Sequence, residues 1–217
     1  MKRLFYKECT LSAMPLTFWF LAFTAMTLIP GYPILVGAFF ITLGIFYSFQ
    51  SAREANDILY SALLPIRKQD VVTGKFLFCI AVEGMAWLLF CGFTLLRMTA
   101  FASAEVYVTN AMMPANLIFL ADILLMYALF HLLFLREFFR TAYKIGKPFL
   151  CYCIGAMLWI GIGETLSHIP ALTFLCAVRG KDLLWQAVIL AGSLLIYLLV
   201  TYFTYRASVR DFEQIDL

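Results

Sequence analysis

Long apolar blocks separated by polar gaps divide this chain into six segments of spanning length. The blocks cover about residues 11–29, 34–49, 76–96, 116–135, 148–166 and 183–205. Each approaches the ~20 residues that an α-helix needs to cross the ~30 Å hydrocarbon core of a bilayer. The first block sits where a signal peptide would. It has no A-x-A cleavage signal and a second apolar block follows at once, so it reads as a retained helix. Pro15 falls in its first turns and Pro30 ends it. The turn Pro30-Gly31-Tyr32-Pro33 is compact, which makes the first two helices antiparallel neighbours. One further apolar piece, 169–178, is too short to cross and reads as a re-entrant or interfacial segment.

Composition turns this pattern into a class. The 217 residues are 64% apolar and 13% charged, whereas a soluble domain is nearer half apolar and a quarter charged. The expected fold is therefore an all-α integral membrane protein with six transmembrane helices. Six crossings place both termini on one side. That side holds Lys2, Arg3 and Lys7; Arg53, Arg67, Lys68 and Lys75; Arg136, Arg140, Lys144 and Lys147; and Arg206 and Arg210. Only Arg97, Arg179 and Lys181 fall on the other. The positive-inside rule then puts both termini, and the polar interval 50–75, in the cytosol.

A net charge of +3 is too small to suggest a nucleic-acid partner. Of Cys9, Cys79, Cys91, Cys151, Cys153 and Cys176, four lie in apolar segments and act as small hydrophobes. The C-x-C of Cys151 and Cys153 is neither a redox pair nor a zinc spacing.

Few residues carry candidate chemistry. Gly74-Lys75 lacks the upstream glycine of a phosphate-binding loop, and His131 and His168 do not form an H-E-x-x-H motif. Glu164 and His168 share a helix face at the outer end of the fifth block, where an interfacial helix end is the plainer reading than a metal or acid–base pair. Arg136-Glu137-Phe138-Phe139-Arg140 has one glutamate where the membrane-protease pattern E-E-x-x-x-R has two, and is expected in a loop. Glu83 and Asp122 lie inside the third and fourth blocks, each about 10 Å from its own helix end. A charge near mid-membrane costs about 2.5–3.5 kcal/mol on insertion scales. Both acids should therefore face the bundle interior, a cavity or a partner. They either line a polar path for substrate or protons or hydrogen-bond between helices as structural glue.

The polar interval 50–75 has its own periodicity. From Ser51 to Leu64, Ala52, Ala55, Ile58, Leu59, Ala62 and Leu63 share one face, and Arg53, Glu54, Asn56, Asp57 and Tyr60 lie largely on the other. This spacing predicts an amphipathic helix lying along the membrane surface. Pro65 breaks it and suits the first turn of the helix that then enters the membrane. A solvated loop containing some helix is the plainer alternative.

The residues Asn56-Asp57, Ser61-Ala62-Leu63-Leu64-Pro65-Ile66-Arg67-Lys68 and Val71-Val72-x-Gly74-Lys75 resemble the signature of small bacterial ABC-2 type permeases. Ala62 is one residue more than that pattern usually carries between Ser and Leu-Pro. The start, Met1-Lys2-x-Leu4-x-x-Lys7, resembles the amphipathic elbow of the same family. The resemblance implies a membrane subunit of an ABC exporter in the bacterial cytoplasmic membrane, paired with a second permease subunit, identical or homologous. A coupling helix between spans two and three would sit on a separate cytosolic ATPase dimer. Arg53, Glu54, Asn56, Asp57 and Tyr60 would form its contact face, and Leu64, Pro65, Arg67 and Lys68 the corner that passes motion to the third span. This chain would bind no cofactor and hydrolyse nothing; ATP and Mg would sit on the partner. Relatives with known cargo tend to export amphipathic peptides or confer resistance to peptide antibiotics, and the Phe-rich spans suit lipid-like cargo too. The alternative is a proton-coupled secondary transporter that uses Glu83 or Asp122.

Overall fold

The protein is described here from a computed structural model covering residues 7, 15–57, 60, 67–141 and 144–215. Among these residues every regular element is a helix. Helix α1 covers Pro15–Phe20 among the described residues. It tightens into a 3₁₀-helix over Leu21–Leu28. Thr24 and Thr27 donate their hydroxyls to the carbonyls three residues back, at 2.7 and 2.8 Å. Because a 3₁₀ residue rises ~2.0 Å rather than ~1.5 Å, these 14 residues extend about 25 Å. The segment reaches as far as a longer α-helix would.

Helix α2, Val36–Glu54, lies against it. Two glycines permit the close approach: a Cβ on Gly37 would lie 3.0 Å from the Phe23 carbonyl oxygen, and one on Gly44 would lie 3.0 Å from Phe20 Cβ. At this seam Thr17 Oγ1 donates to the Gly44 carbonyl and shares a hydrogen with Ser48 Oγ, both at 2.7 Å. Apolar burial gains little where lipid is the solvent, so small residues and interhelical hydrogen bonds hold the pair.

Helix α3, Lys68–Thr99, crosses the bundle, and a short helix α4, Glu105–Val108, follows. Helix α5, Leu117–Phe130, widens into one π-turn over His131–Leu135 and continues as α6, Arg136–Thr141. Helix α7 is Gly146–Ser167, a 3₁₀ segment covers Pro170–Cys176, and α8 is Asp182–Glu213. Among the described residues, four helical stretches are long and apolar enough to cross a membrane: Lys68–Thr99, Leu117–Thr141, Gly146–Ser167 and Asp182–Glu213. Pro15–Leu28 is apolar but shorter, and α2 ends in the polar run Gln50-Ser51-Ala52-Arg53-Glu54.

The most buried element is α5, packed against α2, α3, α7 and above all α8. Its Phe119, Ile123, Met126 and Phe130 are fully enclosed. Helix α8 is amphipathic in the sense opposite to a soluble helix. Its buried face carries Gln186, Ser193, Tyr197, Thr201, Thr204 and Ser208, while Leu184, Val188, Leu195, Leu198 and Phe203 are exposed. A polar seam turned inward and an apolar face turned outward is what lipid as solvent selects. Trp185, 66% exposed near the start of α8, suits an interfacial anchor.

Several boundaries differ from the sequence expectation. Helix α2 runs through 50–54, so the first turn expected for the amphipathic helix belongs to the second apolar block. Helix α3 begins at Lys68 rather than near 76, and α8 runs through the charged tail to Glu213. The 136–140 stretch is helical rather than a loop, with Phe138 and Phe139 in the core. Charge-bearing residues continue these helices because hydrogen bonding along a helix does not stop where hydropathy does.

Candidate functional site

Two clusters of buried charge stand out, one inside the bundle and one at the end that carries Lys7 and the C-terminal residues. The inner cluster is built on Glu83 of α3, which is 1% exposed. His131, the first residue of the π-turn after α5, places Nε2 3.1 Å from Glu83 Oε1 and 3.0 Å from Oε2. Tyr197 of α8 donates its hydroxyl to Glu83 Oε2 at 2.8 Å. Thr201 Oγ1, one turn further along α8, lies 2.8 Å from His131 Nδ1. The π-turn starts at His131; its extra residue changes the helical register, so the imidazole faces α3 and α8 while Phe134 and Phe138 pack against Phe49 of α2.

Both carboxylate oxygens and both ring nitrogens are thus occupied. Phe76 and Tyr197 enclose the imidazole, with ring centroids 5.9 and 5.5 Å away. The arrangement ties three helices together through fully bonded polar groups, the condition under which a buried polar network is tolerated. One turn before His131, the hydroxyl of Tyr127 is buried without a hydrogen-bond partner among the described residues.

Asp122, the second acid expected inside the bundle, is set apart from this network. It is half-buried on α5 beside Gly163 of α7, where an added Cβ would lie 3.7 Å from Asp122 Oδ2. No described residue hydrogen-bonds to it. Glu164 and His168 also take separate partners: Glu164 Oε2 accepts from the Met113 N–H at 2.9 Å, and His168 Nδ1 lies 2.7 Å from the Glu164 carbonyl. Among the described residues no group of three or more His, Cys, Asp or Glu side chains converges as a metal site would.

The end cluster centres on Asp57. Helix α2 stops at Ala55, and Asn56 adopts φ 52°, a left-handed conformation that asparagine tolerates better than most residues. This reversal carries Asp57 inward to 9% exposure. There it accepts from Lys75 Nζ of α3 at 3.0 Å and forms an ion pair with Lys7. Lys75 is 2% exposed and also lies 5.5 Å from the centre of the Phe49 ring. Burial pushes the Asp57 carboxyl up, but Lys75 and Lys7 outweigh it and hold the group below its ordinary value.

The described residues expected on the contact face, Asp57 apart, point outward. Arg53, Glu54, Asn56, Tyr60 and Arg67 are exposed, and Gln50 Nε2 donates to Glu54 Oε1 at 3.1 Å. Lys68 reaches the last turn of α8, donating to the Ile215 carbonyl at 2.5 Å. Leu64 and Pro65, and most of the expected amphipathic helix beyond Asp57, lie outside the described residues.

Reading the sequence left His131, Tyr197 and Thr201 unassigned. The available signal was the spacing of Ser193, Tyr197, Thr201, Thr204 and Ser208, three or four residues apart along an otherwise apolar span, which marks one inward face. Lys7 and Lys75 enter the sequence pattern as cytosolic charges and as part of the family signature, and nothing local links them to Asp57.

The family described as ABC-2 family transporter protein matches this chain over residues 2–213. No curated protein and no solved structure gives a significant match.

Proposed function

Because the chain belongs to the ABC-2 family of transporter proteins, we propose that it is the permease subunit of an ATP-driven exporter, worked by a separate cytosolic ABC ATPase. The interval 50–75 receives the motion of that ATPase and passes it to α3. Support comes from the ion pair of Asp57 and Lys75. It joins the polar interval to a residue buried two turns inside α3, so displacement of one displaces the other. Arg53, Glu54, Asn56 and Tyr60 offer the exposed contact surface, with Leu64, Pro65, Arg67 and Lys68 as the corner. Asp57 then positions this surface rather than touching the ATPase.

In this reading six spans cross the bacterial plasma membrane with both termini in the cytosol, and two permease subunits, identical or homologous, enclose the path. ATP and Mg bind the ATPase dimer. Amphipathic peptides, peptide antibiotics or lipid-like molecules are the cargo class that the apolar, aromatic-rich spans suit. Glu83, with every polar atom bonded, acts as interhelical glue. Asp122, without such partners, is the better candidate to line the path.

Co-expression with a candidate ABC ATPase tests the proposal. The two should co-purify, and the permease should alter the hydrolysis rate of the ATPase. Replacing Arg53 and Tyr60 together by alanine should remove that effect while membrane insertion persists. Recovery of the permease alone, with hydrolysis rates the same with and without it, would sink the coupling role.

A further inference from the structure

At the end of the bundle opposite Lys7 and Ile215, a cavity of about 450 Å³ opens among the α3–α5 connection, the end of α7 and the 3₁₀ segment. Arg97, in the last turn of α3, lines it although the residue is only 5% exposed. One guanidinium nitrogen, NH1, donates to the Thr27 carbonyl at 2.9 Å. The Tyr107 ring covers one face, its centroid 4.3 Å from the guanidinium carbon, and is itself anchored by its hydroxyl to the Leu28 carbonyl at 2.8 Å. Among the described residues no carboxylate pairs with Arg97, and the rest of its donor edge has no protein acceptor. A buried cation ordinarily demands a counter-charge.

The remaining lining points the same way. Asn110 uses its oxygen to accept from the Gly31 and Met112 N–H groups, at 3.1 and 3.3 Å, and its buried Nδ2 has no partner among the described residues. His168 is at the wall, and no acidic residue lines the cavity. Of the acids nearby, Glu164 directs Oε2 to the Met113 N–H while its buried Oε1 has no partner among the described residues, and Glu105 is exposed. Phe101, Met112 and Val178 add apolar surface beside these polar groups.

We propose that this cavity is a binding site for the anionic group, phosphate or carboxylate, of a small amphiphile. Arg97 holds the anion, and the apolar wall holds the tail. The planar guanidinium, with N–H donors not used by Thr27, matches two oxygens of one group, whereas a neutral headgroup would leave the arginine uncompensated. The site does not depend on the proposed coupling to an ATPase, since none of its lining residues lies in the interval 50–75.

The test uses the full chain purified in a neutral maltoside detergent. Hexyl phosphate and hexanoate are titrated calorimetrically, with hexanol as the uncharged control, and maleimide labelling of Cys176, which lines the cavity, is followed by site-resolved mass spectrometry. At least one anion should bind at least tenfold more tightly than hexanol and slow the labelling of Cys176. Preference for hexyl phosphate would indicate a phospholipid-type headgroup, and preference for hexanoate a carboxylate; both support the site. Arg97→Gln should weaken binding at least tenfold, with Arg97→Lys retaining part of it. Since Arg97→Gln also removes the bond to Thr27, Ala111→Trp provides a second variant: it fills the cavity from its exposed rim and should abolish binding with those bonds intact. Equal binding of hexanol, no binding of either anion, unchanged affinity in Ala111→Trp, or binding without protection of Cys176 would each overturn the proposal.

Discussion

Glu83 of α3 and His131 of the π-turn after α5, 48 residues apart, meet in the bundle interior with the imidazole Nε2 3.0–3.1 Å from both carboxylate oxygens. The pair is completed by Tyr197 and Thr201 from α8, so one acid holds three helices in register.

A double-mutant cycle measures that linkage. Glu83→Gln and His131→Phe should each destabilise the bundle, and the double variant should lose less than the sum. A coupling of about 1 kcal/mol is expected, within the ~0.6–1.7 kcal/mol range of interhelical polar pairs in membranes. Thermal unfolding in detergent provides the measurement; additive losses would show that the two side chains do not act together.

The approach of α1 to α2 depends on the absence of a side chain at Gly37, where an added Cβ would lie 3.0 Å from the Phe23 backbone oxygen. Backbone cannot move aside as a flexible side chain can. Gly37→Val is expected to cost about 1–3 kcal/mol through overpacking. Gly84 has nothing within 4 Å of its would-be Cβ, so Gly84→Ala should be neutral or stabilising by up to about 1 kcal/mol. Equal melting temperatures for the two variants would contradict this packing.

Acidification should act through Asp57. Its carboxyl is held below the ordinary value of 3.8, so it binds protons less readily folded than unfolded. Its pairs with Lys75 and Lys7 therefore contribute fully above that value. They fade as the pH falls from about 4 through the lower folded value. Asp57→Asn should cost about 1–3 kcal/mol at pH 7, the worth of hydrogen bonds to charged groups. The wild-type advantage should shrink toward zero below pH ~4. A gap between the two melting temperatures that is the same at pH 7 and pH 3 would count against the assignment.

Asn116 joins two elements at once. Its Oδ1 caps α5 by accepting from the Ile118 and Phe119 N–H groups, and its Nδ2 donates to the Leu175 carbonyl at 2.6 Å. Gln186 of α8 grips the same 3₁₀ segment through the Phe174 and Ala177 carbonyls. Asn116→Ala is expected to cost about 0.5–2 kcal/mol for the cap alone. It should also speed maleimide labelling of Cys176 as the segment loosens. Asn116→Asp keeps the cap but loses the donors, so it should preserve more stability while labelling accelerates just as much. Unchanged labelling in both would exclude the clasp.

Hydropathy is a property of each residue's preference for lipid or water, and it was enough to place the apolar blocks, exclude a soluble fold and put Glu83 and Asp122 inside helices. The short 169–178 piece also shows in its length alone. Local pattern could not say where helices end: α3 and α8 run on through charged residues that remain good helix formers. Nor could it show the 3₁₀ tightening of Leu21–Leu28 or the π-turn at His131, because each depends on what the helix packs against.

Pairings were decided only by the tertiary structure. Nothing in sequence separates Glu83, closed in by His131, Tyr197 and Thr201, from Asp122, which lacks such partners; both are single acids in apolar runs. Asp57 shares a predicted polar face with Arg53 and Glu54, yet the left-handed turn at Asn56 rotates it inward to Lys75. Hydrogen bonds and ion pairs act over about 3 Å between residues far apart in the chain, so they exist only once the helices have been brought together.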